Sequence, residues 1–129
     1  MNRYITGAAL LGALALTGST VAVAQPQSHP NQCFYSNDWG NWKAPDAHTM
    51  YIQVSGKRVF RLDFASSCQM MTYPSAHLIT VFRGGNSICS PLDIDLKVSD
   101  GGIPESCLVS KMTQLSPAEA AAIPQKDRP

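Results

Sequence analysis

The sequence contains no Cys-x-x-Cys pair, no His-Glu-x-x-His, no Gly-x-Ser-x-Gly, no Ser-x-x-Lys and no phosphate-binding glycine loop. Their absence removes the short motifs that mark thioredoxin-type redox centres, zinc peptidases, nucleophilic hydrolases and nucleotide binders. Charge of one sign is lacking too: ten Lys and Arg stand against nine Asp and Glu, a formal net charge of +1. With no basic run, nucleic acid and anionic membrane surfaces are poor partners. There is no Asn-x-Ser/Thr acceptor. The apolar stretch Ile5 to Leu16 is short of the ~20 residues that cross a bilayer.

That stretch has another reading. Arg3 supplies a short basic start, Ile5 to Leu16 an apolar middle, and Ala22-Val23-Ala24 a small-x-small site before Gln25. This is the layout of a secretory signal peptide over 1–24, cleaved after Ala24, with no membrane span left afterwards and a periplasmic or secreted destination. The remaining 105 residues carry nine basic and nine acidic groups and fit one domain. Within them Gln25 to Gln32, polar with two prolines, reads as a flexible lead-in. Residues 33–123 read as one disulfide-bonded β-rich domain and 124–129 as a tail.

Four cysteines, Cys33, Cys68, Cys89 and Cys107, all follow the leader. In an oxidising compartment an even number reads as two disulfides, and bridges closing loops of this length stabilise by about 4 kcal/mol each. The scattered histidines leave zinc without a ligand set. Four cysteines allow three pairings, and spacing does not choose among them.

The domain is organised around Thr49 to Phe64, TMYIQVSGKRVFRLDF. Met50, Ile52 and Val54 alternate on one face, as do Phe60, Leu62 and Phe64 on the next strand. Both apolar faces must lie on the same side of the sheet, because a slip of one residue would turn one of them to water. A two-residue turn at Gly56-Lys57 sets Ile52 opposite Arg61. A three-residue turn or bulge over Gly56 to Arg58 sets Val54 opposite Phe60 and Ile52 opposite Leu62, and is therefore expected.

Around this hairpin the order is simple. Cys33-Phe34-Tyr35 starts a short strand, and Ser36 to Asp46, with Trp39 and Trp42, reads as a loop. HLITVFR, His77 to Arg83, is a strand apolar enough to be covered on both faces. Gly84 to Ser87 is a turn. Ile88 to Val98 follows, with Leu92, Ile94, Leu96 and Val98 inward; Pro91 has no N–H to donate, so the strand begins at or after it, or its Ile88-Cys89 part lies at an edge. Cys107 to Met112 is the last strand. Ser116-Pro117-Ala118-Glu119 is a capping box with proline at the first helical position, so a short helix runs to about Ala122, laid on the sheet edge by Ala118, Ala121, Ala122 and Ile123.

No catalytic residue, cofactor or metal is implied by these patterns. Asp93 and Asp95, two apart on a strand, are its wet face and have no calcium-loop spacing. His29, His48 and His77 sit in the lead-in or beside strands. Met50, Met70, Met71 and Met112 are core filling and not a copper set. The candidate binding residues are Trp39 and Trp42, either a stacking platform or a lid folded over the core.

Cys33-Phe34-Tyr35, Thr49 to Ile52 with Val59 to Leu62, Ser67-Cys68, Ser87-Ile88-Cys89, and Cys107-Leu108-Val109 followed by Leu115 to Glu119 together resemble a family of small exported bacterial proteins, domain-of-unknown-function family six-four-nine-one. The likeness spans Cys33 to Ile123. Its shorter members keep the cysteines matching Cys68 and Cys107 alone, which implies bridges Cys68 to Cys107 and Cys33 to Cys89. The family's acidic pair and Arg before the first hairpin strand are replaced here by Asp46-Ala47-His48-Thr49. The resemblance implies no activity.

The expected fold is α+β and β-dominated, an antiparallel meander or half-barrel of about five strands with a short C-terminal helix and two disulfides. The expected function is that of a non-enzymatic exported binding or structural domain whose partner is an envelope protein or cell-wall component. Two alternatives are a secreted inhibitor of a hydrolase, such as a lysozyme or protease, and a small-ligand binder or enzyme using the Trp39/Trp42 loop with Asp38, Asp46 or His48.

Overall fold

The structure is a computed structural model that describes residues 32–129. The leader reading of 1–24, the lead-in up to residue 31 and His29 lie outside the described residues.

Among the described residues nine strands, not five, make three antiparallel sheets. The organising hairpin is β3 (Thr49–Val54) and β4 (Arg58–Phe64). On one side of it lies β2 (Trp39–Asp46), on the other β9 (Val109–Gln114), giving the order β2-β3-β4-β9. A second sheet joins β5 (His77–Phe82), β7 (Ile94–Ser99) and β8 (Glu105–Cys107) in the order β5-β7-β8. The third is a two-residue ribbon of β1 (Phe34–Tyr35) on β6 (Ser87–Ile88). More strands form than expected because long stretches break at corners: the chain leaves β8, turns through Leu108 and enters the other sheet as β9.

Parity holds in the hairpin, but its loop sits one residue earlier than expected. The loop is Ser55 to Lys57, and Val54 faces Arg58, Ile52 faces Phe60 and Met50 faces Leu62. Ile52 and Leu62 still share the buried face. The Lys57 amide donates to the Val54 carbonyl at 3.3 Å, and φ is positive at both Ser55 (52°) and Gly56 (70°). Those signs belong to the turn whose twist matches that of the flanking strands. Lys57 is then the extra residue before the ladder begins. Gly56 thus takes the second of two left-handed positions, and the first falls to a serine.

One core joins the two larger sheets. Met50, Ile52, Val54, Phe60, Leu62 and Phe64 come from the hairpin, and Ile94, Leu96 and Val98 from β7. Phe34 and Ile88 from the ribbon, with Cys68, Met71, Cys107, Val109 and Met112, complete it. The disulfides bind these parts. Cys68, just after β4, is bridged to Cys107 at the end of β8, and Cys33 to Cys89 beside the ribbon, the pairing that the resemblance implied. Such bridges form and persist in oxidising compartments.

Several expectations need correction. Residues 36–46 are not a loop: a 3-10 turn, Ser36–Asp38, leads into β2. Pairing along β7 does start after Pro91, as expected, but a 3-10 turn, Pro91–Asp93, lies between β6 and β7 and leaves Leu92 80% exposed, not inward. The missing proline N–H accounts for the break. β5 is covered on one face only, since Ile79 and Val81 are 43% and 52% exposed. The helix α1 (Pro117–Ala122) forms with Ser116 as its cap, Glu119 Oε2 accepting from the Ser116 amide and Ser116 Oγ from the Glu119 amide. Ala118, Ala121 and Ala122 are exposed, however, and Ile123 alone is buried. Helix and Ile123 line a shared hollow with Tyr51 and Arg61, so they lie over the outer face of the sheet and not along its edge. The tail is ordered as well. A 3-10 turn, Gln125–Asp127, follows α1, and Arg128 donates to the carbonyls of Ile123 and Ala121, closing the helix end.

Candidate functional site

The two tryptophans are brought to one face by an irregularity. Trp39 pairs with Val54 and Trp42 with Ile52, three residues of β2 against two of β3, so a bulge at Gly40-Asn41 turns both indoles inward. Gly40 also runs close to the neighbouring backbone, where an added Cβ would sit 3.2 Å from the Gln53 carbonyl oxygen. Trp39 packs at 6.1 Å on Phe34 and 5.9 Å on Phe82, ring centre to ring centre, and Trp42 is half-buried against the same core.

The polar groups that would serve a cleft beside these rings do not gather there. Asp38 and Asp46 lie at opposite ends of β2, separated by about 20–25 Å at the usual rise per residue. Asp46 Oδ1 accepts from the His48 amide at 2.7 Å and closes the β2–β3 turn. Asp38 instead borders a hollow of about 220 Å³ with Cys33, Phe34, Tyr35, Arg58 and Ser87.

A different surface combines apolar exposure with a groove. Arg83, Pro91, Leu92, Asp95, Ser106 and Leu108 surround a concavity of about 170 Å³ that is also lined by Ile94, Leu96 and Cys107. Each wall has its own cause. Pro91 breaks the strand and turns Leu92 outward, while Leu108 occupies the corner where the chain passes from one sheet to the other and is 64% exposed. Arg83 reaches diagonally across the ladder to Asp95 at 2.9 Å. Its guanidinium hydrogen bond is the main reason that the Asp95 carboxyl is held below its ordinary range.

Asp93, the other half of the acidic pair, points elsewhere. Its Oδ2 accepts from the Cys89 amide at 2.9 Å and the Ser90 amide at 2.8 Å, and these two bonds, Cys89 first, lower its pKa. The pair therefore performs two separate structural tasks and does not converge on an ion.

Comparisons with protein-family models, curated proteins and solved structures find no match. The chemistry must be read from the molecule itself.

Among the described residues, one group of three brings ligand atoms within 4.8 Å of one another: Cys68, Glu105 and Cys107. Both sulfurs are joined in the disulfide, and Glu105 Oε2 accepts from the Met70 amide at 3.1 Å. This cluster is a staple between loop and sheet. His48 and His77 are exposed, at a turn and a strand end, while Met50, Met71 and Met112 are buried in the core. Among the described residues no helix is long and apolar enough to cross a membrane.

The sequence reading missed the groove because its two apolar walls are exposed for opposite reasons. The signal for Leu92 was available: a residue directly after Pro91 sits where the strand has not yet begun. Leu108 had none, since CLVSKM looks like one uninterrupted strand.

Proposed function

We propose that this chain is an exported, non-enzymatic binding domain that docks a protein partner of the cell envelope through the groove between Leu92 and Leu108. Export is supported by the leader-like residues 1–24 and by two disulfides that tie the fold together. The observation that carries the docking assignment is the pair of solvent-facing leucines at 80% and 64% exposure that line one groove with an ion pair in its wall. Apolar anchors around a pocket with a polar rim are what protein interfaces are built from. The likeness to domain-of-unknown-function family six-four-nine-one belongs to this proposal and adds no catalytic group.

The test is capture from an envelope extract, comparing the disulfide-bonded protein with its Leu92→Asp/Leu108→Asp form. Both leucines are exposed, so the double variant keeps its melting temperature. Recovery of a protein by the parent and its loss with the variant support the assignment. Equal recovery by both refutes it, and a cell-wall glycan in place of a protein corrects the class of partner.

A second reading rests on one other feature. Ile103 is 88% exposed in a loop braced by Ser99 Oγ, which accepts from the Gly101 amide and donates to the Gly102 carbonyl. A braced loop presenting one apolar side chain suits insertion into the cleft of a secreted hydrolase. Inhibition of a lysozyme and protease panel that disappears in Ile103→Asp supports this reading; no inhibition removes it.

A further inference from the structure

Sheet edges are a hazard that proteins usually guard, and the edges of this one are guarded unequally. β2 carries Lys43, Pro45 and two breaks in register. β8 is three residues long and follows Pro104, and the ribbon strands have two residues each. β9 exposes Lys111 and meets β4 through a register shift. β5 has none of these devices. It is six residues, HLITVF, with no Lys, Glu, Asp or Pro, and it pairs with β7 through six consecutive partners without a break.

The direction of its free hydrogen-bonding groups follows from one bond. The Arg83 amide donates to the Asp93 carbonyl at 2.8 Å, which continues the β5–β7 register by one step. Bonded and non-bonded positions alternate along an antiparallel pair. Val81, Ile79 and His77 therefore bond toward β7, and the N–H and C=O groups of Leu78, Thr80 and Phe82 point out of the open edge. Among the described residues, β5 has β7 as its one ladder partner.

We propose that β5 pairs antiparallel with β5 of a second copy about a two-fold axis at Thr80, joining two three-stranded sheets into one of six strands. Outward groups at even positions can meet only even positions of the other chain, so the sum of paired residue numbers is even. Centring on Thr80 sets Thr80 opposite itself, Leu78 opposite Phe82 and Ile79 opposite Val81. Apolar meets apolar and hydroxyl meets hydroxyl, the favourable cross-strand pairs.

The row beyond them fits as well. Val81 stands beside Asp95 on β7 and Ile79 beside Lys97. Across the axis each row reads Asp95, Val81, then Ile79 and Lys97 of the second copy, so an apolar pair is flanked by opposite charges. This self-complementarity singles out a second copy as the occupant: β5 is itself the strand that its own edge would select. Isologous contacts of this kind close a dimer and stop there. Edge pairing of six residues buries less than the roughly 1,200 Å² of a standard interface, so the dimer is concentration-dependent.

The test uses the exported chain, purified with both disulfides closed, in sedimentation velocity over a dilution series and in amide exchange by NMR at the two ends of that series. A monomer–dimer equilibrium is expected, with the amides of Leu78, Thr80 and Phe82 protected when concentrated and exchanging on dilution, while Ile79 and Val81 stay protected. Ile79→Lys and Val81→Lys each raise the dissociation constant by about tenfold or more with circular dichroism unchanged. Ile103→Lys, at an exposed apolar residue elsewhere, leaves it as it was. A monomer at every concentration overturns the proposal, as does a dimer indifferent to both β5 lysines. Even-numbered amides protected at every dilution would show the edge already covered within one chain, and would overturn it too.

Discussion

Removing the Cys68–Cys107 bridge by Cys68→Ala/Cys107→Ala should cost this protein a large part of its stability. The bridge closes 39 residues and its companion 56. In the chain-entropy model the loss is 298 K times (2.1 + 1.5R ln n) cal/mol/K, about 4 kcal/mol for either loop. A domain of this size has a total of ~5–15 kcal/mol, so one bridge decides whether the fold is robust and two whether it exists at ordinary temperature. The drop should appear as a fall in Tm of about 15–30 °C. Urea unfolding is a second assay, followed by the emission of Trp39 and Trp42, which are half-buried against the core. The midpoint should move down by about 2–4 M and the slope should rise, because the unfolded chain freed of the cross-link exposes more surface. A loss of under about 1 kcal/mol would refute the argument that these cross-links supply what a small core cannot.

Other outcomes follow from single contacts. Cys33 and Cys89 are exposed while Cys68 and Cys107 are buried, so limited reductant with an alkylating trap should label the first pair well before the second; simultaneous labelling would contradict this. Asp93 is held below its ordinary 3.8 by the Cys89 and Ser90 amides, so its contribution is complete above that value and lost as pH falls through the lowered one; Asp93→Ala should flatten the acid limb of a stability-versus-pH curve. Ser55→Asn places a residue tolerant of positive φ where φ is 52° and should stabilise the hairpin by ~0.5 kcal/mol in thermal unfolding, whereas Gly56→Ala should destabilise it by ~1 kcal/mol.

What could be read from the sequence is what depends on short-range pattern. Ile52 and Leu62 had to share a face, which required a loop of odd length, and Ser116 with Glu119 fixed the helix start by local chemistry alone. The pattern failed where tertiary structure overrode it. Trp39 and Trp42 are three apart and would alternate in a regular strand, yet the bulge between them puts both inside, so β2 was invisible as a strand. HLITVFR looked like a strand covered on both faces because its apolar content was counted without knowing that the face of Leu78 and Phe82 packs on the core while Ile79 and Val81 face outward. Arg128, which closes α1 by binding two carbonyls, carries no local signal at all.

Site-specific photo-crosslinking in the intact cell tests the docking surface most directly. A photoreactive residue at Leu92, and separately at Leu108, should each join the chain to the same envelope protein, while one at Lys126, in the turn that touches β2 at the opposite edge of the four-stranded sheet, should not. Adducts as abundant from Lys126 as from the two leucines, or none from either leucine, would contradict the groove as the working face of this protein.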